Sequence, residues 1–177
     1  MSDFLIDPES PWFCIFVQTG HEDRVRIRLK RNLEMQLNMI IPQRQLRQRA
    51  LGKWSEIRKP IFPGYILVNS FMDGTECFRI NRTEKVVKVL TDQQGFPKPI
   101  LESELTPILN LIRDGEIILP SKVIEKGNSI QVISGPLVNM EGYVNKVNLR
   151  KGRAQILLDF MGKEKKVDLG IEVLKII

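Results

Sequence analysis

Histidine and cysteine are scarce in this chain. His21 is its one histidine, and Cys14 and Cys77 stand alone among 177 residues. Two isolated cysteines form neither a zinc-binding cluster nor a disulfide framework. The sequence has no glycine-rich phosphate loop. It also shows no pair of side chains at a spacing that indicates a general acid and a general base. We therefore expect a protein that is not an enzyme and that uses no metal or cofactor, with Cys14 as a small core residue.

Long apolar runs are also lacking. None approaches the ~20 residues that a membrane-spanning helix needs, and the acidic stretch 1–11 has no basic region followed by an apolar one, as a signal peptide would. Apolar residues make up 42% of the chain and charged residues 27%, which is ordinary for a globular protein. We expect a cytoplasmic protein without a membrane partner, and the isolated cysteines fit a reducing compartment.

Acidic residues are few in one part of the chain. Residues 24–59 include eleven basic residues and two acidic ones, a surplus of nine that exceeds the net charge of +6 of the whole chain. Such a concentration of positive charge indicates an anionic partner, above all a nucleic acid.

The first helix is predicted over residues 20–33, where Thr19 and Glu22 have the spacing of a capping box. Its narrow apolar stripe consists of Val25, Leu29 and Leu33. A second stripe, which is basic, consists of Arg24, Arg28 and Arg31. The basic stripe is either a solvated helix face or a nucleic-acid contact, and the lack of interleaved acids favours the contact.

The segment 59–69 has a stiff beginning and a β-favouring end. Pro60 and Pro63 restrict the backbone, Gly64 permits a bend, and the apolar run 65–68 is too short for a helix of its own. The segment is therefore either a core strand with a bulge or an apolar docking surface built on that strand.

Strands and helices alternate up to residue 114. The predicted strands are 12–17, 39–42, 65–68 and 86–90, with a basic hairpin over 43–59 that turns at Gly52. The predicted helices are 20–33, 75–81 and one that begins at Ser103. We predict a first domain over 1–114, a linker over 115–123 and a second domain over 124–177. The second domain has turns between five short strands, of which the last two are predicted over 165–169 and 173–177. This pattern indicates a small β-barrel.

Several short motifs resemble, in order and at family spacing, those of the NusG family of transcription elongation factors. In the first domain they are Trp12-Phe13, Gly20 with Glu22, Gly52-Lys53, Phe62-Pro63-Gly64-Tyr65, and 97–100 with Glu104. In the second domain they are 126–132, Gly135-Pro136-Leu137, Glu141-Gly142 and Val144, which resemble the KOW signature. The resemblance covers nearly the whole chain.

This resemblance implies an α+β fold. An N-terminal α/β sandwich (NGN) with an antiparallel-type sheet and flanking helices would be followed by a small SH3-like β-barrel (KOW). The resemblance also implies a monomer whose first domain grips the clamp helices of RNA polymerase and favours elongation without pauses. The polymerase-binding residues that carry over are Phe62, Pro63 and Tyr65.

Specialised members of the family also contact the non-template DNA strand. The resemblance places this contact on the first helix and on the loop before strand 86–90. The residues at matching positions are Arg24, Arg28, Arg31, Arg82 and Thr83.

Basic residues also outnumber acidic ones in the second domain, by nine to six over residues 125–177. They cluster in two loops, which we expect to be adjacent and to form one RNA-binding patch. The alternative is ordinary surface lysine. The residues of the predicted patch are Lys146, Arg150, Lys151, Arg153, Lys163, Lys165 and Lys166.

The charge of both domains resembles that of the LoaP-type members. This implies a processive antiterminator that is recruited by a hairpin in the nascent RNA. Two alternatives stay open. One is the general elongation factor, whose barrel links polymerase to a ribosome or to Rho and whose loop aromatic aligns with Met161. The other is a ribosome-associated KOW protein that binds RNA.

Overall fold

The computed structural model describes residues 6–32, 37–127 and 129–174. Its contacts divide the chain into two compact units. The first unit comprises Met1–Ile41 and Phe62–Ile100, and the second comprises Pro42–Ile61 and Leu101–Ile177. The predicted division at residues 114 and 124 stays a prediction.

The described residues contain twelve strands and three α-helices. In chain order they are β1 (Trp12–Val17), α1 (Glu22–Asn32), β2 (Asn38–Ile40), β3 (Gln43–Ala50), β4 (Lys53–Pro60), β5 (Tyr65–Asn69), α2 (Gly74–Asn81), β6 (Val86–Val89), α3 (Glu102–Leu111), β7 (Ile117–Ile118), β8 (Ser121–Lys126), β9 (Ser129–Ser134), β10 (Val144–Asn148), β11 (Arg153–Phe160) and β12 (Lys163–Val173). Short 3-10 helices span Glu141–Tyr143 and Leu149–Lys151. None of the described helices is both long enough and apolar enough to span a membrane.

The first unit is built on an antiparallel sheet with the strand order β2-β5-β1-β6. Alternate residues of β1 and β5 point to one face of the sheet, where Ile15 pairs with Ile66. Val25 and Leu29 from α1 and Ile80 from α2 join the same buried cluster. The apolar stripe predicted for α1 is therefore correct for Val25 and Leu29, whereas Leu33 lies outside the described residues.

The two helices of this unit begin differently. At α2 the Asp73 carboxylate accepts from the backbone N–H groups of Thr75 and Glu76, and Glu76 completes the capping box. At α1 the predicted capping box is wrong, because the helix begins at Glu22 itself and the carboxylate of that residue bonds to the backbone of Gly64. The Glu22 carboxylate thus bonds to a backbone donor far along the chain and not to one at the start of its own helix.

The second unit contains a strongly curled five-stranded sheet with the order β10-β11-β12-β8-β9. Strand β12 connects the two parts of this sheet, because its first part pairs antiparallel with β11 and its end pairs in parallel with β8. The core inside this barrel includes Ile156, Leu158, Val167 and Leu169. The barrel and the mixed α/β composition confirm the predicted fold class.

One strand prediction in this unit needs correction. Separate strands were expected over 165–169 and 173–177, but β12 runs without interruption from Lys163 to Val173. Residues 175–177 lie outside the described residues. The segment predicted as a linker contains β7 and the start of β8, so part of it is paired strand. Its apolar residues are used in these ladders.

The basic hairpin predicted around Gly52 is present as β3 and β4, which pair from Gln43–Pro60 to Ala50–Lys53. Leu51 and Gly52 form its two-residue turn, and both have positive φ, at 49° and 79°. This is the turn geometry that matches the twist of two antiparallel strands.

Candidate functional site

The tight bend at Gly64 organises the predicted polymerase-binding segment. Gly64 has a φ of +83°, and an added Cβ would lie 3.1 Å from atoms of Phe16, Val17 and Thr19. Its N–H donates to Glu22 Oε1 at 2.7 Å, and its carbonyl accepts from the Val17 N–H at 2.8 Å. Because both backbone groups are bonded, the bend that carries Pro63 is held at a fixed place beside β1.

The three residues predicted to bind polymerase differ in exposure. Pro63 is exposed and Tyr65 is half-buried, whereas Phe62 is only 4% exposed. The Tyr65 ring lies 5.1 Å from that of Phe16, its partner in the β1–β5 ladder. The structure thus brings an unpredicted aromatic, Phe16, to the surface of this segment. Because the Phe62 ring is buried here, its direct contact with a partner stays a prediction.

The residues predicted to bind DNA lie in two neighbouring parts of the first unit. Arg28 on α1 forms an ion pair with Glu84 (Nη2–Oε2, 2.8 Å), and its Nη1 donates to the Glu84 carbonyl at 3.4 Å. This contact joins α1 to the loop that contains Arg82 and Thr83. Arg24 and Arg31 are exposed on the same helix. The helix and loop named by the resemblance therefore form one surface.

An aromatic ring adds to this surface. Phe78 is 61% exposed, and the Arg82 guanidinium lies 5.4 Å from the centre of its ring. Such a cation–π pair offers a flat face for unpaired bases and a charge for phosphates. Phe78 was not predicted as a site residue, since a single aromatic in a short helix carries no signal of its exposure.

The basic residues of the barrel do not form one patch, so this expectation is wrong. Arg153 pairs with Gly170, whereas Lys163 pairs with Phe160 at the opposite end of the β11–β12 ladder. Seven residue steps of ~3.3 Å separate the ends by roughly 23 Å. The half of the ladder that includes Arg153 has Lys146, Arg150 and Lys151, and the half that includes Lys163 has Lys165 and Lys166.

The two ends differ in how their charges are placed. Arg150 and Lys151 are exposed and lie in one short 3-10 turn. At the other end, Lys165 and Lys166 are consecutive in β12 and therefore point to opposite faces of the sheet. The first end is the more compact group of cations.

Beside the compact group lies a partly buried charge cluster. Arg153 Nη1 is 3.9 Å from Asp168 Oδ2, and the Gln155 amide donates to the other oxygen of Asp168. Burial lowers the pKa of Arg44, the nearby Asp168 opposes this shift, and Arg153 adds to it. Two guanidinium groups thus share one carboxylate.

The loop expected to carry the general factor's aromatic is a two-residue turn. Phe160 is buried, and Met161 and Gly162 both have positive φ. The Gly162 N–H donates to Oε1 of Glu104 on α3 at 2.8 Å, and Glu104 is itself buried. Met161 is half-buried at the tip of this turn.

Comparison with known proteins gives a consistent result. A family model described as "Transcription termination factor nusG" matches residues 10–109. A Pseudomonas aeruginosa protein named "Transcription termination/antitermination protein NusG" is 26% identical over 165 residues, which are 89% of this chain and 93% of that protein. A Staphylococcus carnosus protein of the same name is 27% identical over 167 residues, 89% of this chain and 91% of that one.

The fold agrees with a solved structure. The one titled "Domain interaction in Thermotoga maritima NusG" matches with a TM-score of 0.59 at 22% identity, over 92% of this chain and 94% of that chain. The likeness extends over both units, and the family model alone spans more than half of the sequence. The chain belongs to the NusG family of transcription factors.

Proposed function

We propose that this chain regulates transcription elongation by binding RNA polymerase and promoting processive antitermination, and that it is recruited through nascent RNA. Family membership makes it a non-enzymatic transcription factor with RNA polymerase as its main partner. The observation that carries the RNA proposal is the compact group of exposed cations at the Leu149–Lys151 turn of the barrel.

The first unit supplies the polymerase contact in this proposal. Exposed Pro63 and the neighbouring rings of Phe16 and Tyr65 form an apolar surface beside the Gly64 bend. A few well-placed aromatic side chains usually dominate the energy of a protein interface. On the same unit, Arg24, Arg31 and the Arg82–Phe78 pair would contact the non-template DNA strand.

Binding of the full chain to RNA tests the recruitment. A hairpin RNA and an unpaired RNA of equal length are titrated at low and high salt. Preference for the hairpin that persists at high salt is the expected result, because specific contacts lose less affinity to salt than phosphate contacts alone. Equal binding of both RNAs that salt abolishes would overturn RNA recruitment.

Two double variants compare the ends of the barrel. Arg150→Ala with Lys151→Ala removes the compact group, and Lys163→Ala with Lys166→Ala removes the same charge at the other end. We expect the first to weaken hairpin binding and the second to have a smaller effect. Read-through of a terminator by bacterial core RNA polymerase then measures whether RNA binding is linked to antitermination.

A second candidate is the general elongation factor, whose barrel binds a protein. The two relatives above carry a general name, and Met161 is partly exposed at a turn that a protein partner can reach. Co-purification of the full chain with ribosomes or Rho, without any preference among RNAs, would favour this candidate.

A further inference from the structure

A cleft of about 660 Å³ lies within the second unit. One wall is the β3–β4 hairpin with Arg47 and Trp54, and the other is the turn Leu149–Lys151 together with the end of β12. Its volume lies in the range of small-molecule sites. Neither the hairpin nor its tryptophan belongs to the polymerase, DNA or RNA residues that the sequence predicted.

The hairpin wall has the features of a stacking platform. Trp54 is 51% exposed, and the Arg47 guanidinium lies 5.4 Å from the centre of its ring. An exposed indole is a face on which an unpaired base of any identity can stack, and a neighbouring arginine strengthens such a contact.

Close backbone packing fixes the distance between the two walls. At Gly170 in β12, an added Cβ would lie 2.7 Å from the carbonyl oxygen of Gln45 in β3. Only glycine permits this approach of two strands. This packing anchors the hairpin that carries Trp54 to β12, so both walls of the cleft are joined by the main chain.

The charges of the cleft match a ligand with both anionic and donor groups. Arg47, Arg150 and Lys151 provide cations, while Glu56 and Glu172 provide carboxylates. A carboxylate accepts hydrogen bonds from hydroxyl and amino groups but repels a phosphate. A ribonucleotide can bind both the cations and the carboxylates of the cleft. Its phosphate contacts the cations, and its 2′-hydroxyl and base donors contact the carboxylates.

Further positive charge lies next to the lining residues in the chain. Arg44 precedes Gln45, and Arg153 follows Gly152. Within the part of the chain that the structure describes, the Nε atoms of both arginines are buried and make no hydrogen bond. Asp168 lies between them, so this cluster keeps a net positive charge beside the cleft without lining it.

We propose that this cleft binds one unpaired nucleotide of an RNA, whose base stacks on Trp54 and whose phosphate contacts Arg150 and Lys151. The inference rests on the proposed RNA recruitment and makes it more specific. It assigns the β3–β4 hairpin, and not the barrel alone, to the recognition of RNA.

The test uses the full chain and three labelled probes, with fluorescence anisotropy as the readout. The probes are an RNA hairpin with an all-adenosine loop, the same hairpin with abasic loop residues, and a DNA hairpin of the same sequence. We expect the wild-type chain to bind the adenosine loop roughly tenfold more tightly than the abasic loop, the size of one base-stacking contact. The DNA hairpin should bind more weakly than the RNA.

Variants then locate the contact. Trp54→Ala should remove the preference for the adenosine loop and leave binding of the abasic hairpin unchanged. Trp54→Phe should retain most of the preference for the adenosine loop. Phe96→Ala is the matched control, because Phe96 is a similarly exposed aromatic, at 65%, in the first unit. Gly170→Ala should reproduce the loss seen with Trp54→Ala, because it moves the walls apart.

The outcomes separate this inference from the proposed function. Equal affinity of the wild-type chain for the adenosine and abasic loops overturns the nucleotide cleft and leaves RNA recruitment in place. This comparison needs no variant, so a misfolded Trp54→Ala protein does not prevent it. Equal affinity for the DNA and RNA hairpins overturns the assignment to RNA. Absence of binding to any RNA overturns both proposals.

Discussion

Glu22 and Gly64 are joined by a buried hydrogen bond in which the Gly64 N–H donates to Oε1 of the carboxylate at 2.7 Å. Glu22 is 5% exposed, so no water competes freely for this contact. The bond connects the first turn of α1 to the bend before β5, across 42 residues of sequence.

Loss of this acceptor should destabilise the first unit. Glu22→Ala leaves the Gly64 N–H buried without a partner, and such a group costs about 1–3 kcal/mol. Glu22→Gln retains an oxygen that can accept the bond and should lose less. Urea unfolding monitored by circular dichroism measures both. An equal loss of stability in the two variants would show that the hydrogen bond accepted by the side-chain oxygen does not stabilise the unit.

Gly64→Ala should destabilise the chain more than Gly52→Ala does. Both glycines have a left-handed φ, at +83° and +79°, so alanine at either site costs about 1–2 kcal/mol in backbone strain. At Gly64 the new methyl group also meets three atoms at 3.1 Å, whereas nothing lies within 4 Å at Gly52. Thermal unfolding of the two variants measures the difference in stability. Equal midpoints would show that the added methyl group is not crowded at Gly64.

Gly170→Ala should destabilise the second unit, whereas Gly142→Ala should not. Neither glycine has a positive φ. Alanine at Gly170 collides with a carbonyl oxygen, and overpacking of this kind costs about 1–3 kcal/mol. Alanine at Gly142 meets nothing within 4 Å and should be neutral or slightly stabilising. A stable Gly170→Ala protein would mean that β3 does not pack on β12 in solution.

The Cys14 thiol should be inert in the folded chain. It is fully buried, and burial raises its pKa far above the ordinary value, so the reactive thiolate is absent near neutral pH and stays absent as the pH rises to 9. With Cys77→Ala as the background, a chromogenic disulfide reagent should label Cys14 only in denaturant. Labelling of the native protein at the rate of the unfolded one would contradict this prediction.

Arg24 and Arg31 should contribute more to binding of single-stranded DNA than Arg28 does. Arg28 is already paired with Glu84, so a phosphate would have to compete with that carboxylate. Alanine at Arg24 or Arg31 should lower the affinity and reduce the slope of log K against log salt by about 0.7, the value for one phosphate contact on a single strand. Arg28→Ala with an equal or larger effect would argue that the ion pair opens on binding.

Features that depend on neighbouring residues were predicted well. The strand Trp12–Val17 has the predicted bounds, and the hairpin turns at Gly52 as expected, because apolar runs and turn residues act over a few positions. The capping box at Thr19 failed for the opposite reason. The acceptor groups of Glu22 satisfy a backbone donor 42 residues away, and no local pattern reveals such a partner.

In the candidate sites, too, the features that the sequence did not predict depend on contacts between distant residues. The loops at Arg150 and at Lys163 are close in sequence, which suggested one patch, but the register of β11 and β12 places them at opposite ends of a ladder. The sequence places Gly170 between two predicted strands, yet it continues β12 and admits the β3 backbone. The sequence does not indicate Trp54 as a site residue, because the opposite wall of its cleft comes from the distant residues 149–152 and 170–173.

The pairing of β12 has a consequence for the biosynthesis of this protein. Its final residues, around Ile171, lie in parallel beside Ser121 at the start of β8, so the barrel joins its first and last described strands. Contacts between distant parts of a chain form late, because a long loop must close before they form. During translation β8 has to wait for the whole barrel sequence to emerge from the ribosome. Until then the edge of β8 that pairs with β12 is open, and chaperones that protect such edges would matter most at that stage.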